Sequence, residues 1–161
     1  MSLPADPYRA LMRQFNRLGV RYVVVGMAGI NYYATSPAEA FATLDYDVLL
    51  KPTLSNVERA LRGLRALRFT VGTQDGRLRA EELQRVVRDR RTLVATTSEG
   101  IMVELLLAVS GYTFQELAED AVTVAVRGVP IQVGKLRKLL RSKQLAGRPK
   151  DRQFLARYKL L

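Results

Sequence analysis

Short apolar runs alternate with stretches of helical periodicity along the chain, and this alternation limits the possible folds more than any other feature. The predicted strands cover residues 22–25, 43–50, 69–71, 92–97, 101–107, 122–126 and 129–133. Helical patterns precede the first strand, lie between most of the later ones and follow the last. This order predicts an α/β or α+β fold in which helices flank a mixed β-sheet.

The ends of the predicted helices are marked by capping residues. Asp6 and Pro7 predict a helix start, and Gly19 predicts the end of that helix. The last segment, 135–161, is predicted to be helical with a break at 147–149, and it holds ten Lys or Arg against one acid. At 161 residues, with no repeat and no linker, the chain is expected to form a single domain over 1–161.

Two residue types are missing, and their absence narrows the possible chemistry. The chain has no Cys, which excludes disulfides, Cys-based zinc sites and thiol nucleophiles. It has no His, which excludes Ser-His-Asp triads and His metal sites. A metal site would therefore use oxygen ligands, which suit Mg²⁺ or Mn²⁺. The start lacks the layout of a signal peptide and no apolar run is long enough to span a membrane, so a cytoplasmic protein without a membrane partner is expected.

The charge balance is strongly basic. Lys and Arg number 26 against 15 Asp and Glu, a net charge of +11. Such an excess favours a polyanionic partner: RNA, DNA, a nucleoside triphosphate or an anionic membrane surface. Arginine rows at 59, 62, 65 and 68 and at 85, 88, 90 and 91 would suit a phosphate backbone. A solvated helix face, or a general preference for Arg in the source genome, explains the same residues without any partner.

Two aspartates occur within one predicted strand. Asp45 and Asp47 would share a face of the strand over 43–50, about 6.5–7 Å apart. Because the flanking residues are apolar, this strand is expected to be partly buried, and two buried carboxylates need a positive partner. That partner could be Arg, Lys or a metal cation.

A third acid stands alone in a later apolar run. Glu104 is the only polar residue of 101–107. An isolated acid in a buried strand points to a function, although a pairing with one of the many arginines would also satisfy it. If the two strands are neighbours, Asp45, Asp47 and Glu104 converge and could hold Mg²⁺ with phosphate oxygens completing the coordination.

A glycine turn precedes these acids and completes a family pattern. The strand at 22–25 runs into Gly26-Met27-Ala28-Gly29, whose backbone N–H groups could bind phosphate or merely make a tight turn. A strand, a glycine turn on a short helix, Asp-x-Asp on the next strand and a later acid together resemble the nucleotidyltransferase superfamily of the polymerase-beta type. The matching elements are Gly26-Met27, Asp45-Tyr46-Asp47 and Glu104. One departure is Met27, which stands where the family has Gly or Ser.

The C-terminal segment extends this resemblance. The stretch from Lys143 through Arg148 and Lys150 to Asp151 is similar to the tail helix of minimal nucleotidyltransferases, including the AbiEii toxin group. The resemblance implies that Lys143 and Arg148 contact the triphosphate and that Asp151 supports the site by orienting a basic neighbour. A basic helical pair that docks on an acidic surface is the alternative.

The resemblance implies a metal-dependent transfer of a nucleotide from a nucleoside triphosphate to an acceptor hydroxyl. The acceptor could be RNA, including tRNA, or a protein, and the setting could be a toxin–antitoxin pair with a cognate partner protein. Two alternatives stay open. Met27 favours a non-catalytic, antitoxin-like binding module that keeps the fold, and the net charge fits a basic RNA-binding protein whose carboxylates are structural.

Overall fold

Eight strands form one open mixed sheet in the part of the chain that the computed structural model describes, residues 6–35 and 45–158. The strands are β1 Tyr22–Val25, β2 Asp47–Leu50, β3 Thr70–Thr73, β4 Gly76–Arg77, β5 Leu93–Thr96, β6 Met102–Leu106, β7 Val122–Val126 and β8 Val129–Val133. The helices are α1 Pro7–Leu18, α2 Gly26–Asn31, α3 Leu54–Ala66, α4 Leu83–Arg88, α5 Phe114–Ala118, α6 Leu136–Ala146 and α7 Pro149–Tyr158. The mixed sheet flanked by helices confirms the predicted fold class.

The strand order across the sheet is β4-β3-β5-β6-β2-β1-β8-β7. Two pairs are parallel, β2 with β6 and β1 with β8, and the other neighbours are antiparallel. The central strands are short and rich in Val and Leu, and their side chains are buried or nearly so on both faces. Strands of this composition need cover on both faces, and helices supply it.

Different helices cover the two faces of the sheet. On one face, the ring of Phe15 in α1 contacts Tyr22 of β1, and α3 packs against α1 at Gly63, where there is no room for a side chain. On the other face, Leu139 of α6 reaches the residues around Val23. The face covered by α6 is the one on which Val25 and Asp47 lie, since alternate residues of a strand share a face.

Local capping follows the sequence closely. Asp6 caps α1 by accepting hydrogen bonds from the backbone N–H groups of Tyr8 and Arg9, and Gly19 ends the helix in the left-handed conformation with φ of 69°. The hairpin of β7 and β8 has the predicted bounds, and the C-terminal helices break at Gly147 as predicted. Other elements shift by a few residues: β3 begins at Thr70, and the helix predicted over 79–90 is a 3-10 turn followed by α4.

The predicted strand over 43–50 is wrong at its start. Residues 43 and 44 lie outside the described residues, as does most of the loop predicted over 35–42, and β2 begins only at Asp47. Val25, the last residue of β1, pairs with Asp47, and the chain then turns into α2 at Gly26. Among the described residues, Asp45 and Tyr46 therefore have no partner strand on that side, and Asp45 lies outside the regular strand that holds Asp47.

Membrane-spanning segments were also sought in the structure. Over residues 6–35 and 45–158, none of the helices combines the length and the apolar character that crossing a bilayer requires.

Candidate active site

Asp47 and Glu104 lie side by side at the centre of the sheet. The parallel register of β2 and β6 pairs these two residues directly, and the backbone N–H of Glu104 donates to the carbonyl oxygen of Tyr46 at 3.0 Å. Paired residues on neighbouring strands project to the same face, so the two carboxylates are neighbours. Both side chains are half-buried. The structure thus brings together the pair that the sequence analysis placed on adjacent strands.

Gly26 forms the wall next to Asp47. It adopts φ of 65°, a conformation that side chains rarely tolerate, at the point where β1 turns into α2. A Cβ atom on Gly26 would collide with Oδ2 of Asp47. Two features therefore require glycine at position 26: the positive φ of the turn and the close approach of Asp47.

The electrostatics of Asp47 are those of a carboxylate that lacks a cation. Burial, followed by the charges of Glu104 and Asp45, raises the pKa of Asp47 from 3.8 to about 7, while Lys143 and Lys150 act in the opposite direction. Oδ1 of Asp47 is buried and accepts no hydrogen bond within the described residues. A buried oxygen without a partner is unfavourable, and a bound cation would remove both the repulsion and the missing contact.

Asp45 faces a separate aromatic cavity beside this pair. The cavity has a volume of about 220 Å³ and is lined by Asp45, Ala28, Asn31 and three tyrosines, Tyr8, Tyr32 and Tyr46. The rings of Tyr8 and Tyr46 stack with centroids 4.3 Å apart, and the hydroxyls of Tyr32 and Tyr46 hydrogen bond at 2.6 Å. Asp45 is close enough to influence the pKa of Asp47 but lines a different cavity.

A fourth acid, Asp151, is fully buried and is enclosed by cations. Its carboxylate accepts from Nε of Arg148 at 2.7 Å and lies 3.4 Å from Nζ of Lys143, which also sits over the ring of Phe154. Burial acts to raise the pKa of Asp151, but the hydrogen bond from Arg148 and the charge of Lys143 outweigh it and lower the pKa below 3.8. The predicted contact between Asp151 and its basic neighbours is present.

One cavity is lined both by Asp47 and by two cations of the basic cluster, Lys143 and Arg148. It has a volume of about 560 Å³, with Asp47 and Gly26 at its wall and Lys143 and Arg148 contributed by the C-terminal segment. The hydrogen bond with Asp151 raises the pKa of Arg148, and the charges of Asp47 and Glu104 add to this effect. The guanidinium is therefore within electrostatic reach of both acids. A ligand in this cavity would meet acids at one wall and cations at another.

The donor set suits a hard cation only in part. Asp47 and Glu104 offer adjacent carboxylates, and the buried Oδ1 of Asp47 is a ready donor atom. Within the described residues, however, no three acidic side chains come close enough together to form a metal-binding group. Met27, whose side chain could crowd a ligand, packs partly against the hydrophobic core and does not line the large cavity.

The sequence analysis did not assign the polar groups that complete the cavity walls. Thr92, Ser110 and Ser142 line the large cavity, and the Ser142 hydroxyl donates to the carbonyl oxygen of Ser110 at 2.7 Å. Tyr8, Tyr32 and Tyr46, which line the smaller cavity, were not singled out either. Since Ser and Tyr occur throughout the chain, their types alone gave no means to find them.

Comparisons with known proteins were made on the whole sequence. No model of a known protein family matches the chain, and no curated protein shows significant similarity to it.

Proposed function

We propose that this protein transfers a nucleotide from a nucleoside triphosphate to an acceptor hydroxyl, with a divalent metal ion as cofactor. The observation that carries the proposal is the direct pairing of Asp47 with Glu104 at a cavity whose other wall holds Lys143 and Arg148. A nucleoside triphosphate bound to Mg²⁺ matches these charges. Its metal ion binds carboxylates, and its outer phosphate oxygens bind cations. The resemblance to polymerase-beta-type nucleotidyltransferases supports the same assignment.

Asp47 and Glu104 are the residues that would hold Mg²⁺ or Mn²⁺, and a shift of Asp45 toward them would add the third carboxylate. When bound, the ion would supply charge neutralisation at the reacting phosphate and at the attacking oxygen. The acceptor oxygen would bond to the α-phosphorus as the bond from that phosphorus to the pyrophosphate leaving group breaks, and Glu104 would accept the proton of the acceptor hydroxyl.

Lys143 and Arg148 would bind the triphosphate from the opposite wall. Arg148 offers a planar fork of donors that suits phosphate, and Lys143 offers a compact charge. Asp151 acts as a positioning residue, because it is buried and fixes both cations by ion pairs. The backbone N–H groups of Gly26 and Met27, at the start of α2, lie where the chain leaves the sheet and would contact the same phosphates.

The proposal is tested by incubating the protein with each of the four labelled triphosphates, Mg²⁺ and total RNA, and by following label on RNA and on protein. Wild type should transfer label either to RNA or to protein. Asp47→Asn should transfer label at least about a thousandfold more slowly, because it removes the charge of a metal ligand but preserves the shape of the side chain. Asp75→Asn is the matched control, since Asp75 is exposed and pairs with Arg91. Equal labelling by wild type and Asp47→Asn would contradict the proposal, as would labelling that persists in EDTA.

A non-catalytic binding module with the same fold is the second candidate. The observation that favours it is the absence of a group of three acids among the described residues. Thermal unfolding with each triphosphate, with and without Mn²⁺, separates the two candidates, because a ligand specific to the folded state raises its stability. Stabilisation by a triphosphate without any dependence on metal, together with no labelling, would favour the module.

A further inference from the structure

A second basic region lies on the opposite face of the sheet from the proposed active site. α1 carries Arg9, Arg13 and Arg17 at intervals of four residues, and α3 carries Arg59, Arg62 and Arg65 at intervals of three. Residues at these spacings lie on one side of a helix. We call these six residues the α1–α3 arginine surface.

The two helices are in direct contact, so their arginines form one surface. Gly63 of α3 lies against Gln14, Phe15 and Leu18 of α1. Neighbouring helices pack about 8–10 Å apart, and Arg9 and Arg17 are separated by about 12 Å along the helix axis. Arg13, Arg17, Arg62 and Arg65 are exposed, and Arg9 and Arg59 are half-buried. Charge at these positions covers an area much larger than one triphosphate.

The charge of this surface is not neutralised within the described residues. None of the six arginines forms a salt bridge there, and Nε of Arg9 is buried without a hydrogen-bond partner. The only acid in α1 or α3 is Glu58. By contrast, the other arginine row is partly satisfied, since Arg88 pairs with Asp89 and Arg91 pairs with Asp75.

One end of the surface lies beside the aromatic cavity that Asp45 lines. Tyr8, adjacent to Arg9, stacks on Tyr46, which lies between Asp45 and Asp47 in the chain. At the other end, Arg59 lies near Gly19, just beyond α1. A strand bound along α1 would therefore have one end beside the aromatic cavity that Tyr8 and Asp45 line.

We propose that the α1–α3 arginine surface binds the phosphate backbone of RNA, with one end of the bound strand beside the aromatic cavity that Tyr8 and Asp45 line. Surface-bound lipid would need apolar side chains to insert, and within the described residues the large exposed apolar side chains are Val122 and Leu145, neither on α1 or α3. RNA is chosen over DNA because its ends carry additional hydroxyls that can accept a nucleotide. That choice of RNA as acceptor rests on the proposed function, whereas the binding surface does not.

The test is binding of a labelled RNA hairpin with a single-stranded 3′ end, measured by fluorescence anisotropy in EDTA without nucleotide. For wild type the slope of log affinity against log salt should be about −4 to −5, as six phosphate contacts predict. The variant Arg13→Gln/Arg17→Gln/Arg62→Gln should bind at least about tenfold more weakly at moderate salt, with the slope reduced by about 2 to 3.

The matched control removes the same charge elsewhere. Arg77→Gln/Arg127→Gln/Arg152→Gln changes three exposed arginines on β4, in the β7–β8 turn and on α7. It should bind within about twofold of wild type. Equal weakening by both triple variants would overturn the proposal, because it would show attraction to overall charge and not to this surface.

Further measurements distinguish RNA from other partners and distinguish the binding surface from the proposed activity. Tighter binding to a DNA hairpin of the same sequence, or binding to phosphatidylserine vesicles without binding to RNA, would overturn the proposal. Asp47→Asn should bind RNA like wild type. If wild type labels neither RNA nor protein but still binds RNA through this surface, only the proposed function is contradicted. If wild type labels protein but does not bind RNA, only the proposed RNA surface is contradicted.

Discussion

Asp47 is a half-buried acid at the wall of the large cavity, and Asp151 is a fully buried acid that pairs with two cations of that wall, yet the protein treats them in opposite ways. Asp151 is enclosed by Arg148 and Lys143, and its pKa is lowered. Asp47 faces Glu104 and Asp45, keeps a buried oxygen without a hydrogen bond, and has its pKa raised to about 7. The fold thus satisfies Asp151 internally, whereas Asp47 retains like-charge repulsion and, within the described residues, a buried oxygen without a hydrogen-bond partner.

The largest effect is expected at Asp151. Asp151→Ala should lower the free energy of unfolding by about 3 kcal/mol, because it leaves two cations without their buried partner. Urea unfolding at neutral pH measures this loss. The control is Asp75→Ala, which removes an ion pair with a largely exposed Asp and should cost less than about 1 kcal/mol. Equal losses of unfolding free energy at the two positions would show that the buried ion pairs of Asp151 stabilise the fold no more than the exposed pair of Asp75.

Gly26 is expected to show the next largest effect. Gly26→Ala should cost about 2–3 kcal/mol in unfolding free energy, from the positive φ and from collision with Asp47. Gly128→Ala is the control, because Gly128 has φ of 83° with open space around it. It should cost only about 1 kcal/mol. A similar loss of unfolding free energy in both variants would mean that collision with Asp47 does not contribute to the loss in Gly26→Ala.

Asp47→Asn should have the opposite sign to Asp151→Ala. The environment of Asp47 in the folded protein raises its pKa from 3.8 to about 7, so its favourable contribution to folding stability is present below about pH 4 and is lost as the pH rises to 7. In metal-free buffer, the variant should therefore be more stable than wild type by about 2 kcal/mol at pH 8, and by less at pH 5. Unfolding of both proteins at the two pH values gives the result. A pH-independent difference would contradict a raised pKa.

The smallest effect concerns the cation itself. Mg²⁺ at ten times its dissociation constant should stabilise wild type by about 1 kcal/mol and should leave Asp47→Asn unchanged. Thermal unfolding with and without Mg²⁺ measures the shift, and Asp151→Asn should still respond if it folds. An equal response of wild type and Asp47→Asn would mean that the ion binds elsewhere.

The sequence predicted those parts of the molecule that depend on local signals. The ends of α1 and of the β7–β8 hairpin could be predicted, because they depend on contacts with neighbouring backbone. The residues that mark them are Asp6, Gly19 and the turn at Arg127-Gly128. The pairing of Asp47 with Glu104 was expected on the condition that their strands are adjacent. That condition depends on the order of strands in the sheet, which no local pattern specifies.

The remaining features depend on tertiary contacts. β2 begins later than predicted because its partner β1 ends at Val25, so Asp45 lies beside the tyrosines and outside the strand that holds Asp47. The complete burial of Asp151 depends on how α6 and α7 pack, with the ring of Phe154 beneath Lys143. Composition marked Asp151 as the only acid of a basic tail, but not as its most buried charged residue.

The parallel pairing of β2 with β6 has a consequence for the order of folding. Hairpins such as β5–β6 and β7–β8 need only short loops to close, whereas Asp47 meets Glu104 only after a long intervening segment has folded. Lys143 and Arg148 join later still, since α6 and α7 follow the last strand. During synthesis the acids thus remain apart from Lys143 and Arg148 until α6 and α7 have left the ribosome, and a chain that ends before α6 brings only the acids together.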